Sequence, residues 1–330
     1  AGAARGVTVG PFGPATPFGQ PFVSHSPPPV ALPEARYDPL RATLLILITL
    51  SLFPVMDSCA KYLVQNGYDF IQVVWARYAF HVAATLVFIV SSRRRLWLRL
   101  PRGPGLQLLR ALLLMGATGL FFAALRVIDL AEAVAVNFVA PLLVVVFSVV
   151  LLGERVGLRR WGAVAVGFVA ILIILRPGTG IFQWASLLVV GAAACNALHQ
   201  LVTRKLSAID HPMTTLFVSG LVGAVCLSAI VPFHWRDPDL LGWGLMAAIG
   251  GIGAVSHYSL IRAFQYAPAS MLAPYGYTQI VAATAIGYAV FGNFPDLWTI
   301  LGALLIIASG LYVAYREAIS RRLTRAKERG

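Results

Sequence analysis

Ten apolar stretches, each of about 20 residues and parted by short polar breaks, leave this chain few ways to fold. They lie near 42–65, 70–92, 105–126, 130–151, 158–175, 181–205, 213–233, 239–264, 269–292 and 297–316. In hydrocarbon every backbone N–H and C=O needs an internal partner, so an apolar run of that length reads as a spanning α-helix. Breaks as short as Gly153-Glu154-Arg155 and Arg176-Pro177-Gly178 force consecutive helices to run antiparallel. Composition agrees: 58% of the 330 residues are hydrophobic, 12% are charged, and the mean hydropathy is +0.78. A soluble chain runs near 45–50% apolar and about 25% charged. The expected class is therefore an all-α membrane protein with ten transmembrane helices.

The net charge of +13 has a topological reading, because cytoplasmic loops of membrane proteins are enriched in Lys and Arg. Counted between spans with the N-terminus inside, twenty basic residues fall on the inner side. Only Arg126, Arg176 and Arg236 fall on the outer one. Both termini are thus expected in the cytoplasm, in a multi-pass protein of a bacterial inner membrane. The partners expected are the lipid bilayer and a small-molecule solute, with no nucleic acid and no cofactor; the oligomeric state is left open. Residues 1–40 read as a flexible Pro/Gly-rich N-terminal tail without the apolar core of a signal peptide, and 317–330 as a basic cytoplasmic tail. Cys59, Cys195 and Cys226 lie unpaired in apolar segments and read as small buried hydrophobes, so no metal site is expected.

The chain also resembles itself. Ala42-Thr-Leu-Leu-Ile-Leu aligns with Ala185-Ser-Leu-Leu-Val-Val at a shift of 143, and Ala124-Leu-Arg-Val with Ala263-Phe-Gln-Tyr at a shift of 139. Gly153 then falls on Gly292. The halves this implies are 41–178 and 179–316. Each holds five spans, an odd number, so the second copy enters the membrane from the side opposite to the first. Inverted repeats of this kind suit secondary transporters, whose two halves rock about a midplane site to expose it alternately.

The stretch 124–155 (ALRVIDLAEAVAVNFVAPLLVVVFSVVLLGER), followed by Gly162-Ala163, resembles the EamA-type repeat of the drug/metabolite transporter superfamily. So do Asp57-Ser-Cys-Ala-Lys61, Val74-Trp75-Ala-Arg77-Tyr78 and Gly302-Ala-Leu-Leu-Ile-Ile. The resemblance covers about residues 42–316. It implies a ten-helix inverted-repeat fold and alternating-access transport of small metabolites, with amino acids the first solute class and export the direction. Asn293 stands where the second repeat of that family usually carries the Gly-Glu seen at Gly153-Glu154.

Ionisable and polar groups inside the spans are the candidate solute path, since a charge at a helix centre costs about 2.5–3.5 kcal/mol on insertion scales. Asp57 and Lys61 share a face of the first span at i,i+4, either as an internal ion pair or as a polar wall. Pro54 is expected to kink that helix. Arg77 and His81 form a second i,i+4 pair, and the forked donors of Arg77 suit a carboxylate. Glu132 is placed to cap the fourth span, and Asn137 with Pro141 to free a backbone carbonyl within it. His199, His257, Tyr258, Tyr275 and Gln279 complete the expected path, with Pro274 a second helix-bending position. Glycine runs such as Gly250-Gly-Ile-Gly253 read as close helix packing and not as a phosphate cradle. No Walker, HExxH or GxSxG motif is present, so no catalytic residue is assigned. The alternatives to a carrier are a membrane channel and a membrane-embedded enzyme.

Overall fold

The computed structural model describes residues 38–91, 101–152, 157–176, 184–206, 210, 212–267 and 269–329. Every regular element among them is helical. The first half holds α1 (Pro39–Gln65), α2 (Phe70–Ser91), α3 (Pro104–Ala124), α4 (Leu130–Asn137), α5 (Ala140–Leu152) and α6 (Leu158–Leu175). The second holds α7 (Ala185–Leu206), α8 (Pro212–Ser228), α9 (Leu240–Tyr266), α10 (Ala269–Leu272), a 3-10 turn (Ala273–Tyr277), α11 (Thr278–Phe291) and α12 (Leu297–Arg329). Among the described residues, six helical stretches are long and apolar enough to cross a membrane. Shorter apolar helices cover Trp161–Leu175, Met213–Ser228 and Leu297–Tyr312.

Local chemistry sets the boundaries. Asp38 caps α1 by accepting the Arg41 N–H at 3.1 Å, with Pro39 in the first turn where its missing N–H does no harm. Asp239 caps α9 through the Gly242 N–H at 2.7 Å. Gly292 ends α11 at φ +72°, a left-handed conformation that glycine adopts without strain. Arg176 closes α6 in the same region at φ +46°, just before Pro177.

Two expected spans differ from simple helices. The fourth is divided at Phe138 and Val139 into α4 and α5, because Pro141 cannot return a hydrogen bond to the Asn137 carbonyl. The ninth is divided by the 3-10 turn that carries Pro274. Pro54, by contrast, sits inside an uninterrupted α1. The expected tail at 317–330 continues α12 as helix to Arg329, which its Ala, Glu, Leu, Lys and Arg content favours.

The most extensive helix pairings map onto one another, or onto themselves, when the halves are exchanged. The most extensive pairings are α1 with α9 and α3 with α7, which correspond under the repeat; α2 with α8 and α6 with α12 correspond to themselves. Lipid offers helices no hydrophobic reason to associate, so close approach of small residues has to supply the cohesion. Ala60, Ala76, Ala133, Ala135 and Ala193 are accordingly fully buried. On α8, a Cβ at Gly223 would meet the Tyr78 ring at 2.6–2.9 Å. On α9, one at Gly250 would run into Phe80 and the His81 backbone.

Candidate functional site

Glycine-mediated contact of α2 with α8 and α9 brings four helices around a polar chamber. Arg77, Tyr78 and His81 of α2, Arg110 and Leu114 of α3, Leu216 and Ser219 of α8, and His257 of α9 line it. Its cavity measures about 20 Å³, room for about one water.

The two arginines are held by hydroxyl groups. Arg77 donates to the Thr118 hydroxyl of α3 and lies over the rings of Tyr78 and Phe122, 5.6 and 5.8 Å from their centroids. Arg110 donates through Nε to Thr203 of α7 at 2.7 Å, and through Nη1 to the Ser219 hydroxyl and the Thr215 carbonyl of α8. Each of these hydroxyls passes its own proton to a backbone carbonyl one turn earlier on its helix: Thr118 to Leu114, Thr203 to His199 and Ser219 to Thr215. All three are thereby fixed as acceptors, and the Tyr78 hydroxyl donates to Thr118 at 3.3 Å. Neither Arg77 nor Arg110 has a carboxylate within ion-pair distance among the described residues.

The histidines take different parts. His81 and His257 meet edge to face across the chamber, 5.9 Å between centroids, with Phe53 on the far side of His257 at 5.4 Å. His257 Nε2 is buried without a hydrogen-bond partner among the described residues. His199 lies behind the wall, where Nδ1 donates to the Arg110 carbonyl at 3.2 Å, so it orients Arg110 from outside the cavity.

Several expected members lie elsewhere. Lys61 does not pair with Asp57. It is 1% exposed and donates to the Ile128 carbonyl at 3.1 Å and to Asp129 at 3.2 Å, with the Phe291 ring 4.9 Å below its ammonium. The α3–α4 turn offers it both a carbonyl and a carboxylate, a better desolvated environment than Asp57 alone. Asp57 is buried in α1 within electrostatic reach of Arg77. Tyr258 turns away to stack on Phe88 at 4.8 Å. Tyr275 packs with the apolar cluster of Ala42, Ile46 and Ala263, while Gln279 is half-buried in α11; neither lines the chamber. Asn137 and Pro141 mark the α4–α5 break, and Glu132 accepts a hydrogen bond from Ser186 at 3.2 Å in the first turn of α4. Sequence reading did not include Arg110 among the path residues. It lies well within the run 105–126, and the intramembrane-charge criterion that selected Arg77 would have found it.

Antiparallel apolar helices folded about a charged, closed chamber define a polytopic membrane protein built to handle a polar solute. A model of the EamA-like transporter family matches residues 40–176 and again 183–315. The chain belongs to that family: it is a transporter of small metabolites in a bacterial inner membrane, not an enzyme. It is 29% identical over 274 residues to the S-adenosylmethionine uptake transporter of Rickettsia prowazekii, covering 83% of this chain and 91% of that one. It is 30% identical over 296 residues to the riboflavin transporter of Vibrio cholerae, covering 88% and 98%. A shorter match, 31% over 206 residues, reaches the pseudopaline exporter of Pseudomonas aeruginosa and covers 59% and 70%. A solved crystal structure at 19% identity shares the fold, with a TM-score of 0.58 over 86% of this chain and 98% of its own.

Proposed function

We propose that the chain is a ten-span secondary transporter of two inverted halves, 41–178 and 179–316, with both termini cytoplasmic. It moves amino acids or amino-acid-derived metabolites by alternating access, with export the direction and Arg77, His81, Arg110 and His257 the walls of the solute path. The pairing of α1 with α9 and of α3 with α7, which exchange under the repeat, carries this reading, because two equivalent arrangements of the halves are what alternating access requires. Polar contacts between segments support the orientation. Lys61 with Asp129, Arg176 with Asp296, Arg236 with the Asn66 carbonyl and His234 with Asp69 join segments that charge counting assigns to the outer side. Arg102 with Asp210 joins two assigned to the inner side. The names of the relatives point both ways, one class for uptake and one for export.

Purified protein in sealed proteoliposomes tests the proposal with a labelled panel of amino acids, S-adenosylmethionine and riboflavin, with and without a pH gradient. Saturable flux with counterflow is expected for the amino-acid class. Flux that neither saturates nor exchanges would make the protein a channel. Influx driven by an inward gradient, with no outward counterpart, would reverse the direction. Accessibility labelling is expected to place Arg155 and Arg236 on opposite faces of the membrane.

A further inference from the structure

The chamber contains more positive charge than the protein itself answers. Arg77 and Arg110 face it from neighbouring helices, and their partners among the described residues are hydroxyls and one carbonyl, all neutral. The carboxylate within electrostatic reach of Arg77 is Asp57, on α1, which forms no ion pair with it. Two guanidinium groups against one carboxylate leave at least one positive charge unmatched. A guanidinium has five N–H donors, and the bonds to hydroxyls and carbonyl use one of Arg77's and three of Arg110's. His257 Nε2, buried at the same cavity, is a further polar atom with no group to bond among the described residues.

We infer that the chamber is a carboxylate site, in which Arg77 and Arg110 together bind the single carboxylate of an anionic or zwitterionic solute and His257 hydrogen-bonds a neighbouring polar atom. Planar forked donors match a carboxylate in geometry as well as in charge, which an ammonium would not do. The three hydroxyls, locked as acceptors by their own backbone bonds, hold the guanidinium groups in place while leaving donors for the solute. His199 fixes the backbone of Arg110 from behind. The excess positive charge favours solutes that carry a carboxylate over those that do not.

The inference rests on the chamber being the solute path, and a binding assay separates it from transport. Thermal stabilisation of the purified full chain in detergent is measured with acetate, L-methionine and S-adenosylmethionine. Each is compared with a partner that lacks the carboxylate: acetamide, methioninamide and decarboxylated S-adenosylmethionine. The acid is expected to half-saturate at least tenfold below its partner in one or more pairs. Arg77→Gln and Arg110→Gln should each bring that ratio to about one, and Arg110→Lys should keep part of it. Equal behaviour of acid and partner in the unmodified protein overturns the inference, whether or not either arginine variant folds. Acid-selective stabilisation without flux in proteoliposomes would leave the carboxylate site standing and overturn only the transport reading.

Discussion

The ring of Phe138 lies 5.5 Å from that of Tyr277, with the two planes inclined by 35°. The residues are 139 positions apart, the shift that relates the two halves from Ala124 onward. Phe138 occupies the gap between α4 and α5, and Tyr277 ends the 3-10 turn before α11. The interruptions of the fourth and ninth spans therefore touch each other. A helix with a missing i→i−4 bond bends more easily than an intact one. The two breaks pack closely, and a Cβ at Gly276 would stand 3.9 Å from the Phe138 ring.

If the rings act as one unit, Phe138→Ala and Tyr277→Ala will not add. Aromatic pairs are worth about 0.5–1.5 kcal/mol beyond area burial, so a double-mutant cycle should show a coupling of that size. Thermal unfolding in detergent measures it. Strict additivity would mean that the breaks are neighbours without being partners.

Lys61 provides a second check. Its ammonium is almost fully enclosed, while Asp129 is 46% exposed and also accepts from Asn293 at 2.5 Å. Removing the carboxylate strands the cation with only the Ile128 carbonyl, whereas Lys61→Met removes the charge and keeps the volume. Asp129→Ala should thus destabilise by about 1–3 kcal/mol, and Lys61→Met by clearly less. The reverse order in a thermal shift series would refute the pairing.

The helices were legible in sequence because hydrocarbon imposes one rule on every span, and that rule needs no knowledge of neighbours. Arg77, His81 and His257 were legible by the same route, since a costly polar group inside a span needs a reason to be there. The partner of Lys61 was not. Asp57 is four residues away and Asp129 is sixty-eight, and only packing of α1 against the α3–α4 turn decides between them. The placement of Tyr258 and Tyr275 outside the chamber was not legible for a related reason: an aromatic ring with a hydroxyl suits a pocket wall and a packed interface equally well, and periodicity does not say which face meets which helix. Pro141 and Pro274 gave the breaks, but not the fact that the breaks meet.

Glycine packing can be tested by contrast. A Cβ at Gly223 would press on the buried Tyr78 ring, whereas one at Gly251 finds nothing within 4 Å. Gly223→Ala should cost about 1–3 kcal/mol as an overpacked contact. Gly251→Ala should be neutral or stabilising by up to about 1 kcal/mol through helix propensity. Similar melting temperatures for the two variants would argue against the close α2–α8 approach that shapes the chamber.

Asp296 tests its ion pair with Arg176 by pH. It lies between α11 and α12, where partial desolvation would raise its carboxyl pKa. Hydrogen bonds from Thr299 and the nearby Arg176 guanidinium outweigh that and hold it below the ordinary value of 3.8. A carboxylate depressed on folding contributes stability that is present above its unfolded pKa and is lost as the folded group takes up its proton. The contribution should therefore persist at neutral pH and fade as the pH falls below about 4. Asp296→Asn keeps a side-chain oxygen for the Thr299 N–H, which is 2.9 Å away, and removes only the charge. Thermal unfolding from pH 7 to 3 should show the variant slightly less stable at pH 7 and converging on the unmodified protein at the acid end. Curves that stay parallel across that range would mean that the Arg176–Asp296 pair, at 2.6 Å, holds the adjoining ends of α6 and α12 without help from its charge.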